Sequence, residues 1–372
     1  MSTGPASAHT FTKTDGNDSP GKLDVRTASV NHGNNKVVHT VRTFEGWTPK
    51  NLGNDSFFII EIDKNFDDDF EQCAFIFFAG GRLRGSLTNC RRTFIRSLPV
   101  SKPSKAVASI TVPTANTGKA YRWVAFSFWS GLPARCSDRC FDAAPNRPPP
   151  ILHDLVRPVV DMSAATLRVA QGSTTTTFGF PFTVSDAHSG IASWRVQRRP
   201  LQSSTWENVV SASGGGAQNP LISGTEGTHY LYRVVTKDKQ GNQTIGPSRT
   251  VYVPIDDTSI DPADFTGTPS TIEDTDAFGG SYQALDAGEV LTLDLAEFDE
   301  CIFELTGPGS GDWIVEVHLN GGGPFVTLDA SDFADAQRQL LLEGLGCVDP
   351  SILTFTVVSG SGFGIDAFVG PA

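Results

Sequence analysis

The 372-residue sequence has little methionine (2), little tyrosine (5) and few charged residues (19%). No stretch approaches the ~18 consecutive apolar residues that a membrane helix needs, so no membrane span is expected. The first 21 residues, MSTGPASAHTFTKTDGNDSPG, lack the apolar core of a secretory leader, and no signal peptide is visible in this chain. A sustained helical period and a strand–helix alternation are also missing, which excludes a helical bundle and a doubly wound enzyme fold. Familiar catalytic motifs are not found. SGSGFG (Ser359–Gly364) falls between strands without the spacing of a nucleophile elbow. Gly118-Lys119 has neither the upstream glycine nor the following hydroxyl residue of a phosphate loop. Cys136-Ser-Asp-Arg-Cys140 has no second Cys/His pair at zinc-ligand spacing. The chain is therefore not expected to be an enzyme. The basic strip Arg82, Arg84, Arg91, Arg92 and Arg96 lacks interleaved stacking residues, so it reads as a solvated face and no nucleic-acid partner is expected.

Glycine (37), proline (23) and phenylalanine (25) are abundant, the composition of a β protein with many turns. The net charge of −12 is unevenly spread. Residues 22–146 hold 17 Lys/Arg against 11 Asp/Glu, whereas 270–372 hold 18 Asp/Glu against the single Arg338. The two ends should present opposite fields. The six cysteines fall into three neighbourhoods: Cys73 with Cys90, Cys136 with Cys140, and Cys301 with Cys347. An even count paired by region predicts three disulfides and an oxidising compartment, hence an extracellular or cell-surface location. That expectation stands in tension with the missing leader.

The fold class read from these patterns is all-β, as three tandem β-sandwich modules. A polar segment, 1–21, is expected to be disordered. Closely spaced strands (KVVHTVRTF, SFFIIEID, EQCAFIFFA, YRWVAFSFW) then predict a jelly-roll-like sandwich over 22–145. A proline-rich linker spans 146–157 and a second module 158–254. A further linker, 255–268, leads to a third module at 269–372. Within it, Asp332–Glu343 has helical propensity but is read as a loop followed by a strand over Gln339–Glu343.

Two segments of the second module, VSDAHSGIASWRV and Tyr230-Leu-Tyr-Arg-Val-Val-Thr-Lys-Asp-Lys-Gln-Gly-Asn242, resemble bacterial Ig-like and fibronectin type III domains. The resemblance implies that Tyr230 is a corner tyrosine bonded to nearby backbone and that Trp194 is a core aromatic. The third module, through FGGSYQALDAGEVLTLDL, ELTGPGSGDWIVEVHLNGG and FGIDAFVG, is similar to galactose-binding-like jelly rolls, which implies a carbohydrate ligand. The first, through VVHTVRTFEGW and CSDRCFDAAP, resembles uncharacterised domains of secreted actinobacterial proteins and implies no chemistry.

Two candidate sites emerge. Asp63, Asn65 and Asp67 alternate along one loop, with Asp69 and Glu71 following, as oxygen ligands of a Ca²⁺ ion do. The competing reading is a solvated hairpin tip, since Asp68 stands where an EF-hand has glycine. For a sugar, Trp313 beside Asp312, with Tyr282 and Phe325 on nearby loops, offers rings for stacking and a carboxylate for hydroxyls. Alternation in WIVEVHL argues instead for a buried Trp313. His32 and His39 flank a predicted hairpin turn and read as cross-strand polar residues, while His153, His188, His229 and His318 read as surface or turn positions. The functional expectation is a non-catalytic extracellular or surface binding and adhesion protein, partnered by a glycan or cell-surface polymer. The alternative is a structural envelope or appendage component that associates with copies of itself.

Overall fold

The computed structural model describes residues 10–369 apart from 34, 54, 130–139, 145–149, 164–166, 170–174, 295–303, 334–338 and 344–351. The chain divides into two compact units, Met1–Val156 and Arg157–Ala372. Among the described residues, helix is confined to the four-residue Thr114–Thr117, to Val169 and to short 3-10 turns. No helix there is long and apolar enough to cross a membrane.

In the first unit, twelve strands are described: β1 (Thr10–Thr14), β2 (Val25–Gly33), β3 (Lys36–Thr43), β4 (Phe57–Asp63), β5 (Gln72–Ala79), β6 (Arg82–Asn89), β7 (Phe94–Leu98), β8 (Val100–Ser104), β9 (Val107–Pro113), β10 (Ala120–Trp129), β11 (Cys140–Ala144) and β12 (Ile151–Asp154). They form one sheet in the order β1-β2-β3-β9-β8 and a second in the order β11-β10-β4-β5-β6-β7, with β12 also on β10. Period-two alternation turns one set of side chains inward. Ala28, Val30, Val37 and Val41 of the first sheet share a core with Phe58, Ile60, Ile62, Ala74, Ile76 and Trp123 of the second. Gly85 is where the β6 backbone passes closest to its neighbours: a Cβ there would lie 2.5 Å from Val100 and 2.7 Å from the Leu98 carbonyl oxygen. Cys73 of β5 is bonded to Cys90, just beyond β6. Cys140 is also disulfide-bonded, while Cys136, Cys301 and Cys347 lie outside the described residues.

The amino-terminal segment departs from the sequence expectation. Residues 10–14 pair with β2 over the full length of β1, and the following loop folds against β11 through the bond from the Ser19 hydroxyl to the Phe141 carbonyl. His153 and His229, expected at the surface, are buried. His39 is fully buried as well, its Nε2 3.2 Å from the Tyr121 hydroxyl, and burial with His153 nearby pushes its pKa down to about 3.

The second unit begins with a sandwich whose sheets reproduce the Ig and fibronectin type III arrangement. Three strands, Val159–Asp161, Phe182–Ser185 and Gly216–Gln218, make one layer. The other runs in the order Leu167–Arg168, Gln243–Tyr252, His229–Asp238, Ile191–Pro200 and Glu207–Ala212, with its first pair parallel. Trp194 is in the core, and the Tyr230 hydroxyl accepts the Thr225 backbone N–H. Both features are those the resemblance implied.

Thr177–Gly179 pairs with Leu221–Ser223 within the same sandwich. The strands from Ile255 onward form a further β-sandwich around Trp313, Val315, Phe355 and Phe363. Gln339–Glu343 is a strand paired with Glu304–Gly307. Residues 255–268, expected as a linker, are folded into this module. Ile255–Asp256 pairs with Ala367–Val369, and Phe265–Thr266 pairs with Val290–Asp294. Two Asp side chains cap short turns between them: Asp256 accepts from Thr258 N–H and Asp261 from Ala263 N–H. Phe278 and Ala367 pack into the core of the preceding module, which explains why the two sandwiches form one unit.

Candidate functional site

The most distinctive surface lies on the outward face of the larger sheet in the first unit. In β4, β5, β10 and β11 many of the residues between the buried positions are themselves apolar, so that both faces carry hydrocarbon. Phe57, Phe75, Phe77, Phe126 and Phe128 are half-buried, and Phe141 is 49% exposed. Register aligns them: Phe128 stands opposite both Phe57 and Phe141, and Ile59 opposite Phe126 and Phe75. The rings touch across strands, with centroids 5.0 Å apart for Phe57–Phe128 and Phe128–Phe141, 5.2 Å for Phe126–Phe141 and 5.4 Å for Phe57–Phe75. Phenylalanine has no polar atom to offer water or a sugar hydroxyl. A contiguous group of such rings on a sheet face is the pattern of a protein contact surface.

The predicted cation loop between β4 and β5 is well formed but largely satisfied by its own backbone. Asp63, Asp67 and Glu71 bring carboxylate oxygens within 4.8 Å of one another. Asp63 accepts from Phe66 and Asp68 N–H, Glu71 from Lys64 N–H, and Asp67 from Asp69 N–H and the Asn65 amide. Arg122 lies 3.9 Å from Asp63 and is paired with Asp68. Asp69 contributes its backbone N–H to the loop. A guanidinium at this position supplies the positive charge that an ion would otherwise bring.

A second carboxylate cluster joins the 15–24 loop to β11 and was not anticipated. Asp15, Asp18 and Asp142 place oxygens within 4.8 Å of one another. Asp142 is held by Val25 N–H at 2.6 Å and Ala143 N–H at 2.8 Å. Asp24 faces Asp142, is 1% exposed, and neither of its carboxylate oxygens receives a hydrogen bond. Burial, then the Asp142 charge, pushes Asp24 up to about 7 and Asp15 up to about 6.

The residues proposed from sequence as a sugar site do not converge. Trp313 is fully buried, its Nε1 donating to the Ser310 carbonyl, so the ring offers no face for stacking. The expectation of an exposed Trp313 is corrected by its alternation with Val315 and Val317, which points all three into the core. Asp312 does line a shallow groove of about 440 Å³ with Ser310, Asp329, Ser331 and Phe333, but its Oδ1 already accepts Ser361 N–H. Tyr282 and Phe325 are not part of that groove. Phe325 is 56% exposed on its own strand, and Tyr282 pairs in register with Ile272.

No family model matches the chain, and no curated protein matches it. Several solved structures show weak likeness, among them the following three. The FN1–FN3 domains of chicken CNTN1 align at 8% identity and a TM-score of 0.24, covering 93% of this chain and 97% of that one. A SusE-like protein aligns at 11% identity and 0.18, over 58% of this chain and 97% of that one. The BSP domain of a biofilm associated protein aligns at 9% identity and 0.20, over 100% of this chain and 68% of that one. Likeness at this level assigns neither fold nor function, and the β-sandwich assignment rests on the sheets described above.

Proposed function

We propose that this chain is a non-catalytic, extracellular binding protein built of tandem β-sandwiches, and that it works by associating with copies of itself through the phenylalanine face of its first unit. The observation that carries this reading is the set of six outward phenylalanines on adjacent strands. A sheet face of rings with no polar handles can match another such face, and a two-fold contact buries the same patch on both copies. Disulfide bonding at Cys73–Cys90 and at Cys140 supports an oxidising, extracellular setting. Hydrogen exchange of the full chain at low and high concentration tests the surface. Added protection at high concentration, confined to peptides from β4, β5, β10 and β11, supports the proposal. Protection that is independent of concentration contradicts it.

A carbohydrate role has one specific observation in its favour, the groove lined by Ser310, Asp312, Asp329, Ser331 and Phe333. A glycan screen with the full chain tests it. Saturable binding removed by Asp329→Ala would support this second reading, and no binding would remove it.

A further inference from the structure

We propose that the outward face of the five-stranded sheet in the Ig-like sandwich binds the sulfate or carboxylate groups of an acidic polysaccharide, at a hollow walled by Arg195 and Lys237. Strands Gln243–Tyr252, His229–Asp238, Ile191–Pro200 and Glu207–Ala212 lie side by side there. Trp194, Val196, Tyr232 and Val234 are in the core, so the alternate residues Arg195, Gln197, Arg199, Arg233 and Lys237 face outward. Register sets Lys237 opposite Ser193 and Gln243, Arg195 opposite Ser211, and Gln197 opposite Arg233 and Asn208. The hollow measures about 450 Å³, and its lining includes Ser193, Arg195, Asn208, Ser211, Lys237 and Gln243 but no carboxylate.

The charge on this face is not neutralised from within. Burial first, then the charges of Arg195 and Arg199, lower the Arg233 pKa from its ordinary value. Like charges crowded across strands cost stability, and Glu207 of the edge strand is taken up by Arg198. Among the described residues Arg195, Arg233 and Lys237 have no carboxylate partner, and Arg195 Nε is buried without an acceptor. Two of the arginines are nevertheless held in place. The Trp206 ring centroid lies 3.9 Å from the Arg233 guanidinium carbon and 5.4 Å from that of Arg199. Arg233 Nε also donates to Gln197 Oε1, and the Gln197 amide donates to Asn208 Oδ1. Cations beside hydroxyl and amide side chains, with no counter-charge, suit an anionic group whose neighbours are hydroxyls.

The row from Ser193 to Arg199 runs about 20 Å at ~3.3 Å per residue. That length suits a chain with repeated charges better than one small ion. A nucleic acid fits less well, because Trp206 is already engaged by two guanidinium groups instead of being free to stack on a base. The site belongs to the second unit and needs nothing of the phenylalanine face of the first.

The test is calorimetric titration of the full oxidised chain with heparin (sulfated), alginate (carboxylated), neutral dextran and a thymidine oligonucleotide. The chain carries a net charge of −12, so saturable uptake of a polyanion requires a local site. The expected result is saturable binding of heparin or alginate that weakens with added NaCl, no binding of dextran, and oligonucleotide binding weaker by about tenfold or more. The tighter of the two polysaccharides identifies the oxyanion as sulfate or carboxylate. Arg195→Gln/Lys237→Gln should weaken binding about tenfold or more with unchanged circular dichroism. Arg82→Gln/Arg96→Gln, on the basic strip of the first unit, should leave it unchanged. Lys237→Gln alone, at an exposed position, should weaken binding about threefold and keeps the test decisive if the double variant misfolds. Four results would overturn the assignment: no binding of either acidic polysaccharide, an oligonucleotide bound as tightly, equal losses in the two double variants, or a folded Lys237→Gln protein that binds like wild type.

Discussion

Asp257 offers a stability prediction whose sign follows from its surroundings. Its side chain is 1% exposed, neither oxygen receives a hydrogen bond, and Asp256 and Asp366 lie beside it. Burial first, then these neighbours, pushes its pKa from 3.8 up to about 9. The folded protein at pH 7 therefore holds a neutral carboxyl able to donate to Asp256, whereas the unfolded chain holds a carboxylate. A folded-state pKa above the unfolded one stabilises fully below pH 3.8, and that contribution is lost as pH rises towards 9. At pH 7 the lost contribution has an upper bound of about 4 kcal/mol, from the gap between pH 7 and the unfolded pKa at 1.36 kcal/mol per pH unit. Water penetration and local relaxation reduce the realised figure to about 1–3 kcal/mol. Asp257→Asn keeps the shape and the donor while removing the titration. Urea unfolding of the full chain, with the second unit followed by hydrogen exchange, should show the variant more stable by that amount at pH 7. The two proteins should converge at pH 4. A variant less stable than wild type at pH 7, or a difference that does not change with pH, would refute the reasoning.

Three further outcomes follow from packing and crosslinks. Gly85→Ala should destabilise the first unit by about 1–3 kcal/mol in urea unfolding, because its Cβ would overlap Val100 and the Leu98 carbonyl, the latter being backbone that cannot step aside. Trp313→Ala should cost about 3–5 kcal/mol and be seen as lost stability of the second unit, since the ring is fully buried against Phe333 and Phe363. Replacing Cys73 and Cys90 by serine opens a crosslink spanning 17 residues and should cost about 3 kcal/mol, measured by the same unfolding with and without reductant.

The β architecture was legible because alternation and turn chemistry are local. Tyr230 and Trp194 carried enough of the Ig pattern to place a corner and a core residue, and the spacing of Cys73 and Cys90 named a bonded pair. The phenylalanine face was not legible. In FFIIEID and QCAFIFFA both faces of the strand are apolar, so alternation cannot reveal which set faces outward until the second sheet is in place. Residues 255–268 read as a linker because polar and proline residues dominate, yet Asp256 and Asp261 cap turns that hold the segment in the third module. The acidic cluster escaped notice for a different reason. Val25 and Asp142, which bind each other, are 117 residues apart, and the loop before Asp24 has the composition of a frayed terminus. Asp63–Glu71, in contrast, stood out by spacing although Asp63 and Asp67 already accept N–H groups of their own loop.

Sedimentation velocity on the full oxidised chain, across a hundredfold concentration range, tests the proposed working surface most directly. The account predicts reversible self-association in the wild type and a monomer in the Phe57→Ser/Phe128→Ser/Phe141→Ser variant, with unchanged circular dichroism. A wild type that stays monomeric throughout, or a folded variant that associates as well as wild type, would contradict it.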